Sequence, residues 1–406
     1  MKRPILIIIG AILVFILLAV WVYILFFGKP SGGDDTFNNL NFGDTTDTTV
    51  VTPQPTTETP VVDVTGPERL RQLTTEPTAG FQIVQQDASS TPMVYYIEAG
   101  TGHIFTISLA DGEEERISGT TIPGARTAAM TPNGKHVIVQ SGTTGEVIIG
   151  SFSTSSNGLQ NVGLEGMVTS FAATINNTFL YATKVSSGVQ TYEYDPISHT
   201  SAQLFTIPFR EAAIKWGETA DSVHYVYPKA SSQLEGLVYE VRNGKVTRLP
   251  IDGYGLTAYG NGSAVIVSKL FGGKTYQSYL YTPQTGLKNL PITTLTEKCT
   301  SYHTHSSFVC AAGTTQLDAT LPDNWYKGVT TFADDLWKIT PSLNSAERIS
   351  SIRSESGREL DITTLVVSMS DDILLFLNKK DQTLWLFELP ENVSFETTLP
   401  ESLPTN

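Results

Sequence analysis

Charged residues and cysteines are both scarce in this chain of 406 residues. Only 16% of the residues are charged, the formal net charge is −14, and there are two cysteines. A chain with this acidic balance has no electrostatic reason to bind nucleic acid or an anionic membrane surface, so we predict no nucleic-acid partner. Glycine, threonine, serine and aromatic residues are abundant, which favours strands and turns over helices.

Motifs of the common hydrolases and nucleotide-binding proteins are missing. Neither Gly-x-Ser-x-Gly nor His-Glu-x-x-His occurs, and the segment 268–275 carries Ser268 where a P-loop requires its first glycine. The acidic pairs at 334–335 and 371–372 are most simply turns between strands, unless both point into one cleft as paired carboxylates. The sequence therefore predicts no catalytic residue, no metal ion and no cofactor.

The N-terminus contains the one long apolar run. Lys2 and Arg3 precede an uncharged stretch from Pro4 to Phe27. At about 1.5 Å per residue this stretch exceeds a hydrocarbon core of ~30 Å, and the basic residues in front of it place the N-terminus in the cytoplasm. A cleaved signal peptide would have an apolar region of only about 7–15 residues. We therefore interpret residues 1–28 as an uncleaved transmembrane signal anchor, with the remainder outside the cytoplasm.

One segment has the composition of an unfolded chain, and a short tail follows the repeats. Residues 29–67 are dominated by Thr, Pro, Asp, Gly and Asn, as in Thr52-Pro53-Gln54-Pro55. Such a segment has too little apolar surface to offset the entropy of ordering, so it is predicted to be a disordered linker. Residues 391–406 form a C-terminal tail.

The rest of the chain is periodic. Short apolar strands recur at intervals of 43, 42, 44, 42, 43 and 65 residues. Equivalent positions are Val94, Val137, Phe179, Val223, Val265, Phe308 and Ile373. Each is followed by an alternating strand and then a polar strand, and a strand of small residues leads into the next unit. Four strands per ~43 residues is typical of a propeller blade, whose innermost strand must be small.

Seven such units predict an all-β fold, a seven-bladed β-propeller over residues 68–390. Residues 69–74 resemble the polar outer strand of a blade, yet they precede the first inner strand, 80–84. We expect them to complete the last blade and so close the ring without a free sheet edge. In the alternative, residues 394–397 supply that outer strand.

One turn carries a family resemblance. The segment Thr131-Pro132-Asn133-Gly134-Lys135 resembles the Ser-Pro-Asp-Gly-Lys turn of TolB-type, or WD40-like, propeller repeats, with weaker versions at 174–177, 260–263 and 368–372. In this turn proline fixes φ and glycine accepts a positive φ. No Trp-Asp dipeptide occurs, which argues against true WD40 repeats. The resemblance implies a rigid binding platform.

The sixth blade departs from the period. An insertion of about 22 residues, roughly 314–335, lies between its second and third strands and contains Trp325 and Tyr326. A long excursion on a regular ring is usually a cap over one mouth or a binding loop. The two aromatic residues are our candidate binding residues, for a sugar or a partner protein. Equally, they could hold the loop against its own blade.

The two cysteines stand at the ends of a predicted hairpin. If the turn centres on residues 304–305, Cys299 faces Cys310, and a disulfide is within reach in an extracytoplasmic protein. A pair of buried thiols is an alternative. A zinc site would need His303 and His305 as further ligands, but these lie at the hairpin tip, away from the sulfurs.

Three functions remain open. The anchor, the linker and the regular blades favour a non-catalytic propeller at the cell membrane that binds protein or cell-envelope polymer. An alternative is a hydrolase or lyase that acts on glycan or peptide in the central channel. A third is a structural subunit of an envelope assembly.

Overall fold

The computed structural model describes Leu18 and residues 69–390, except 86–90, 154–155, 165 and 314–318. By its internal contacts the chain divides into two units, Met1–Val62 and Asp63–Asn406, and every strand lies in the second. In the part so described, no helix is both long and apolar enough to span a bilayer. Apart from Leu18, the predicted anchor, linker and tail lie outside the described residues, as does the alternative closing strand 394–397.

The second unit is a seven-bladed β-propeller of four-stranded antiparallel sheets, as the sequence predicts. The strand that closes the ring is β1 (Leu70–Gln72). Blade 1 comprises β2 (Thr78–Val84), β3 (Met93–Glu98), β4 (Ile104–Ser108) and β5 (Glu114–Arg116). Blade 2 comprises β6 (Ala125–Met130), β7 (His136–Ser141), β8 (Val147–Ser153) and β9 (Ser156–Gly163). Blade 3 comprises β10 (Met167–Ala173), β11 (Phe179–Val185), β12 (Gly188–Asp195) and β13 (Thr200–Ile207).

The remaining blades follow the same order. Blade 4 comprises β14 (Ala212–Lys215), β15 (His224–Pro228), β16 (Glu235–Arg242) and β17 (Lys245–Tyr254). Blade 5 comprises β18 (Thr257–Gly260), β19 (Val265–Phe271), β20 (Thr275–Thr282) and β21 (Gly286–Asn289). Blade 6 comprises β22 (Cys299–Ser301), β23 (Phe308–Gly313), β24 (Asp334–Thr340) and β25 (Ser345–Ser350). Blade 7 comprises β26 (Ile362–Val367), β27 (Ile373–Asn378) and β28 (Leu384–Glu388), together with β1. Two short helices, α1 (Asp323–Tyr326) and α2 (Ile352–Ser356), and two 3₁₀ turns, Thr296–Lys298 and Pro341–Leu343, complete the described elements.

The first strand of each blade lies at the ring axis. Successive first strands contact one another, β2 with β6, β6 with β10, β14 with β18, β18 with β22, and β22 with β26. Space there is limited: a Cβ on Gly80 would lie 2.1 Å from the carbonyl oxygen of Ala128 in the next blade. Small residues in these strands are therefore a packing requirement.

The ring has two mouths, which we name by the path of the first strands. At the upper mouth the first strands begin, and at the lower mouth they turn back into the second strands. The lower-mouth turns have the predicted geometry, with positive φ at Gly134, Asn177, Gly262 and Asp371. In the turn that resembles the TolB-type motif, the Gly134 amide donates to the Thr131 carbonyl at 2.8 Å.

The apolar core lies between the blades. Leu375, Leu377, Leu384 and Leu386 of blade 7 pack in one cluster with Phe81 and other residues of blade 1. Each such side chain contributes about 1.5–3 kcal/mol when fully buried. Since one blade supplies only half of each interface, the blades depend on their neighbours.

The N-terminal closure is confirmed. Strand β1 pairs antiparallel with β28, with Leu70 opposite Phe387 and Gln72 opposite Trp385. Leu70 is buried in the core of blade 7, and the Arg71 guanidinium contacts the Glu388 carboxylate at 3.0 Å. The last blade is thus built from both ends of the propeller sequence.

Replacing Leu70, the buried residue of the closing strand, by alanine tests how much the closure stabilises the ring. We expect Leu70→Ala to lower the free energy of unfolding by about 2–5 kcal/mol, because it leaves a cavity in blade 7. The exposed Leu234 is the matched control, and Leu234→Ala should change stability by less than about 0.5 kcal/mol. Urea unfolding followed by tryptophan fluorescence measures both. Equal effects of the two substitutions would show that the closure does not stabilise the ring.

Candidate functional site

The insertion of blade 6 lies over the upper mouth. It follows β23, which runs back from the lower mouth, and its described part contains α1. Asp323 of that helix accepts a hydrogen bond at 2.5 Å from the Ser232 amide of blade 4. Gly255, at φ +64° between blades 4 and 5, leaves room for the insertion, because a Cβ there would lie 2.9 Å from the Leu321 carbonyl oxygen. The insertion therefore reaches from blade 6 to blade 4.

Trp325 fixes the insertion to the ring. Its side chain is only 4% exposed and packs in one cluster with Leu295, Leu321 and Phe332. Its indole N–H lies 3.1 Å from both carboxylate oxygens of Asp361 in front of β26. Of the two sequence interpretations of Trp325, the structure favours the one in which it holds the loop against the fold.

A buried ion cluster lies beneath Trp325. The ammonium of Lys298 contacts the carboxylates of Asp334 and Asp361, the latter at 2.6 Å, and all three side chains are buried. Burial raises the pKa of Asp334, and the Lys298 charge opposes that shift. Removing one partner of such a cluster typically costs 3–5 kcal/mol, because a buried charge is left uncompensated. The expectation that residues 334–335 form a turn is wrong: they begin β24, and Asp334 is a partner in this cluster.

Tyr326 is 38% exposed, and its ring lies tilted against that of Trp325, with the ring centroids 5.7 Å apart. Its hydroxyl donates to the Glu297 carboxylate, at the 3₁₀ turn before β22. Adjacent residues on a helix point in different directions, which is why one ring is buried and the other is not. Tyr326 is thus the member of the predicted pair that remains available for contact with a ligand.

Tyr326 and Glu297 form one side of a cavity of about 280 Å³. Thr169 and Ser170 of blade 3 and Lys215 and Tyr227 of blade 4 form other parts of its wall. Burial lowers the pKa of Lys215, and the negative charge of Glu297 opposes that shift. The cavity therefore presents an ammonium, a carboxylate and hydroxyl groups to one small space.

The lower mouth has a second pocket, of about 310 Å³, beside His303. The two ring nitrogens of His303 lie 2.8 Å from the Glu218 carboxylate of blade 4 and 3.2 Å from the Val367 carbonyl of blade 7. Both partners are acceptors, so both nitrogens must carry a proton for both bonds to form. The hydrogen bond to Glu218 raises the pKa of His303 and lowers that of Glu218. When both nitrogens carry a proton, His303 links blades 4, 6 and 7 through these two bonds.

The predicted disulfide is present. Cys299 and Cys310 are bonded and stand directly opposite each other in the pairing of β22 with β23, in the register that the turn at 304–305 predicts. With both sulfurs in the disulfide, the zinc alternative is wrong. Among the described residues no group of three or more His, Cys, Asp or Glu is arranged to hold a metal ion. His305 instead lies against Tyr302, with ring centroids 4.2 Å apart and the ring planes tilted by 34°.

Sequence reasoning missed Lys215, Glu297, Lys298 and Asp361. Lys298 and Asp361 are far apart in the sequence and meet only in the folded ring. Lys215 stands in a short inner strand next to Trp216, where a lysine is uncommon, and that position was the one available signal. No spacing pattern connects Lys215 with Glu297.

Comparison with known proteins supports the fold alone. No protein-family model matches the sequence, and no curated protein matches it either. The chain is similar in structure to oligogalacturonate lyase from Vibrio parahaemolyticus, at 11% identity and a TM-score of 0.51, covering 79% of this chain and 94% of that one.

Two further similar structures are a catalytically inactive virginiamycin B lyase from Staphylococcus aureus with quinupristin and the β-propeller domain of Cps50 from Myceliophteria thermophila. The lyase has 13% identity and a TM-score of 0.50, with 79% and 99% of the chains covered. Cps50 has 8% identity and a TM-score of 0.50, with 79% and 100% covered. At these identities the likeness shows the propeller fold and no shared activity.

Replacing Trp325 by phenylalanine tests how much its hydrogen bonds to Asp361 stabilise the fold. We expect Trp325→Phe to lower the free energy of unfolding by about 1–3 kcal/mol beyond the loss of ring volume, because Asp361 loses a buried donor. Trp337 is the matched control, since its buried indole N–H has no hydrogen-bond partner among the described residues. Trp337→Phe therefore removes the same ring volume and no bond. Equal losses in urea unfolding would rule out a stabilising role for the Trp325 donor.

The His303–Glu218 pair predicts a pH dependence. A histidine whose folded pKa is raised above 6.5 adds stability that is complete below that value and is lost as pH rises through the folded pKa. We expect ¹H–¹⁵N NMR titration to show a raised pKa for His303 that falls in Glu218→Gln. The same substitution should cost about 0.2–1 kcal/mol at pH 5.5 and less at pH 8.5. Glu235→Gln, at an exposed glutamate, should show no such difference.

Proposed function

We propose that this chain is a membrane-anchored, extracytoplasmic β-propeller that binds a protein or a cell-envelope polymer without transforming it. The basic residues and apolar run at the N-terminus support the anchor and the orientation. The resemblance of the turn at 131–135 to TolB-type repeats supports the role of a binding platform. The rigid ring described above supplies the platform itself.

The cavity at the upper mouth is the observation that carries the binding role. It is concave, and blades 3 and 4, the turn before β22 and the insertion each supply part of its wall. Its volume is at the small end of the range for ligand sites, so it fits one side chain or one sugar ring rather than a length of polymer. A larger partner would place a protruding group in the cavity and rest on the surrounding loops.

The residues at the wall are suited to recognition. Lys215 and Glu297 supply opposite charges, and Tyr326 adds a partly exposed ring at the edge. Tyrosine gives large contact area at a low cost in conformational entropy and is enriched at binding hot spots. Among the described lining residues there is neither a histidine nor a cysteine to serve as a nucleophile or proton shuttle.

An enzyme that acts in the central channel is the second candidate. The favouring observation is Lys215, because burial lowers its pKa and a neutral lysine can serve as a general base. A hydrolase or lyase of glycan or peptide would then use Lys215 and Glu297 as its acid–base pair. Such an enzyme would release a product from a bound polymer, whereas a platform would retain the polymer unchanged.

Site-specific photo-crosslinking in native membranes tests the platform. We expect a benzophenone amino acid in place of Tyr326 to capture a discrete partner, identified by mass, because position 326 lies at the edge of the cavity. The control is the same amino acid in place of Ile197, which is 79% exposed in a turn between the two outer strands of blade 3. Capture by both positions alike, or recovery of cleaved polymer, would contradict a platform that uses the upper mouth.

A further inference from the structure

Lys215 is the feature of the cavity that the proposed function leaves unexplained. It ends strand β14, opposite Tyr225, and its side chain lines the cavity. Among the described residues its ammonium has neither a hydrogen-bond partner nor an ion-pair partner. Lys298, which is buried, contacts two carboxylates, whereas Lys215 is half-buried. One lysine of this part of the ring is therefore paired within the chain, whereas the half-buried Lys215 faces the cavity without such a partner among the described residues.

An unpaired ammonium in a confined space is costly. Removing it from water disfavours its charged form unless an opposite charge is near. Glu297 favours the charged form from across the cavity. Its Oε1 accepts the Tyr326 hydroxyl, its Oε2 has no hydrogen-bond partner among the described residues, and neither oxygen forms an ion pair with Lys215. An anionic group in the cavity would supply the missing partner.

We propose that Lys215 binds a single carboxylate presented by a partner protein, either an acidic side chain or a chain terminus. This inference rests on the proposed function and names the partner class for the same cavity. The cavity wall offers one further hydrogen-bond donor, the hydroxyl of Ser170. Ser170 accepts the Trp216 indole N–H at 2.9 Å, so the proton of its own hydroxyl is available to the second carboxylate oxygen.

The charges of the wall favour a singly charged group. Lys229 lies at the exposed edge of the cavity and Lys215 inside it, while Glu297 is in the same wall. A dianion such as a phosphate monoester would place its second charge near Glu297. A carboxylate needs only one ammonium and one or two hydrogen-bond donors, which Lys215 and Ser170 supply.

The charge of the whole chain favours a protein over an acidic polymer. At a net charge of −14, the chain repels a polymer that carries an anionic group on every repeat. A protein partner can present one carboxylate on a neutral or basic surface, so the long-range interaction becomes neutral or attractive. At physiological salt this interaction is largely screened beyond about 8 Å.

The test uses the full chain in detergent and two neutral-backbone probes, N-acetyl-aspartate N-methylamide and its asparagine counterpart. We expect the aspartate probe to bind with a dissociation constant on the order of millimolar, as measured by calorimetry. The asparagine probe should bind at least fivefold more weakly, and so should an oligoglucuronate, which carries an anionic group on every repeat. Lys215→Met should reduce binding of the aspartate probe at least fivefold. Lys135→Met, at an exposed lysine of the lower mouth, should leave it unchanged.

A second readout protects the test against a variant that fails to fold. In the unmodified chain, the aspartate probe should slow acetylation of Lys215 by acetic anhydride, measured by peptide mass spectrometry, and should not slow acetylation of Lys135. Equal protection by the asparagine probe, or none, would overturn the inference. Tighter binding of the oligoglucuronate than of the aspartate probe would overturn the partner class in favour of an acidic polymer.

The failure of this inference can be distinguished from failure of the platform. If Lys215→Met still captures the same partner through position 326, the platform stands and the carboxylate assignment is overturned. If the unmodified chain captures no discrete partner, or releases cleaved polymer, the platform itself fails. If capture is lost in Lys215→Met and retained in Lys135→Met, both proposals are supported.

Discussion

The packing of apolar side chains between neighbouring blades is the constraint on which this structure depends. Each four-stranded sheet has two faces, and neither can be covered within the blade. Val94 and Tyr96 of blade 1 and Leu375 and Leu384 of blade 7 belong to one cluster, so the first and last blades share a core. The ring must close for every face to be buried. The strand β1, although it has only three residues, therefore affects the packing of the whole ring.

The insertion shows how an irregular segment is held on a regular ring. Its attachment is polar and buried: the Trp325 indole donates to Asp361, and Asp361 shares Lys298 with Asp334. A buried charge cluster adds little net stability compared with apolar packing, but it is demanding in geometry. It therefore fixes one position of the insertion, and with it the position of Tyr326 at the edge of the cavity.

Much of the fold could be predicted from the sequence because it depends on local pattern. The near-43-residue interval predicted the blades, the polar segment before the first inner strand predicted the closure, and a turn at 304–305 predicted the register that joins Cys299 to Cys310. Alternation and turn chemistry are encoded within one or two strands, and the period is visible because the same local pattern recurs in every blade.

The site was less predictable because it depends on residues that meet only in the ring. The aromatic pair was identified, but its division into a buried Trp325 and a partly exposed Tyr326 follows from a one-turn helix within the insertion. Lys215 and Glu297 lie on different blades, and their shared cavity follows from ring geometry. Burial also decides the role of Asp334, because an acidic pair in sequence resembles a surface turn until its lysine is known.

The position of the chain ends has a consequence for how the molecule can be used. The Arg69 carbonyl accepts the Glu388 amide at 2.7 Å, and the Leu389 amide donates to Asp372 in a lower-mouth turn. The propeller therefore begins and finishes at the same mouth, on the side opposite the insertion. Additional segments or fused domains joined at residue 69 or 390 would attach there, and the approach to the cavity would stay unobstructed. Labels and surface linkages are best placed at these two positions if ligand access is to be preserved.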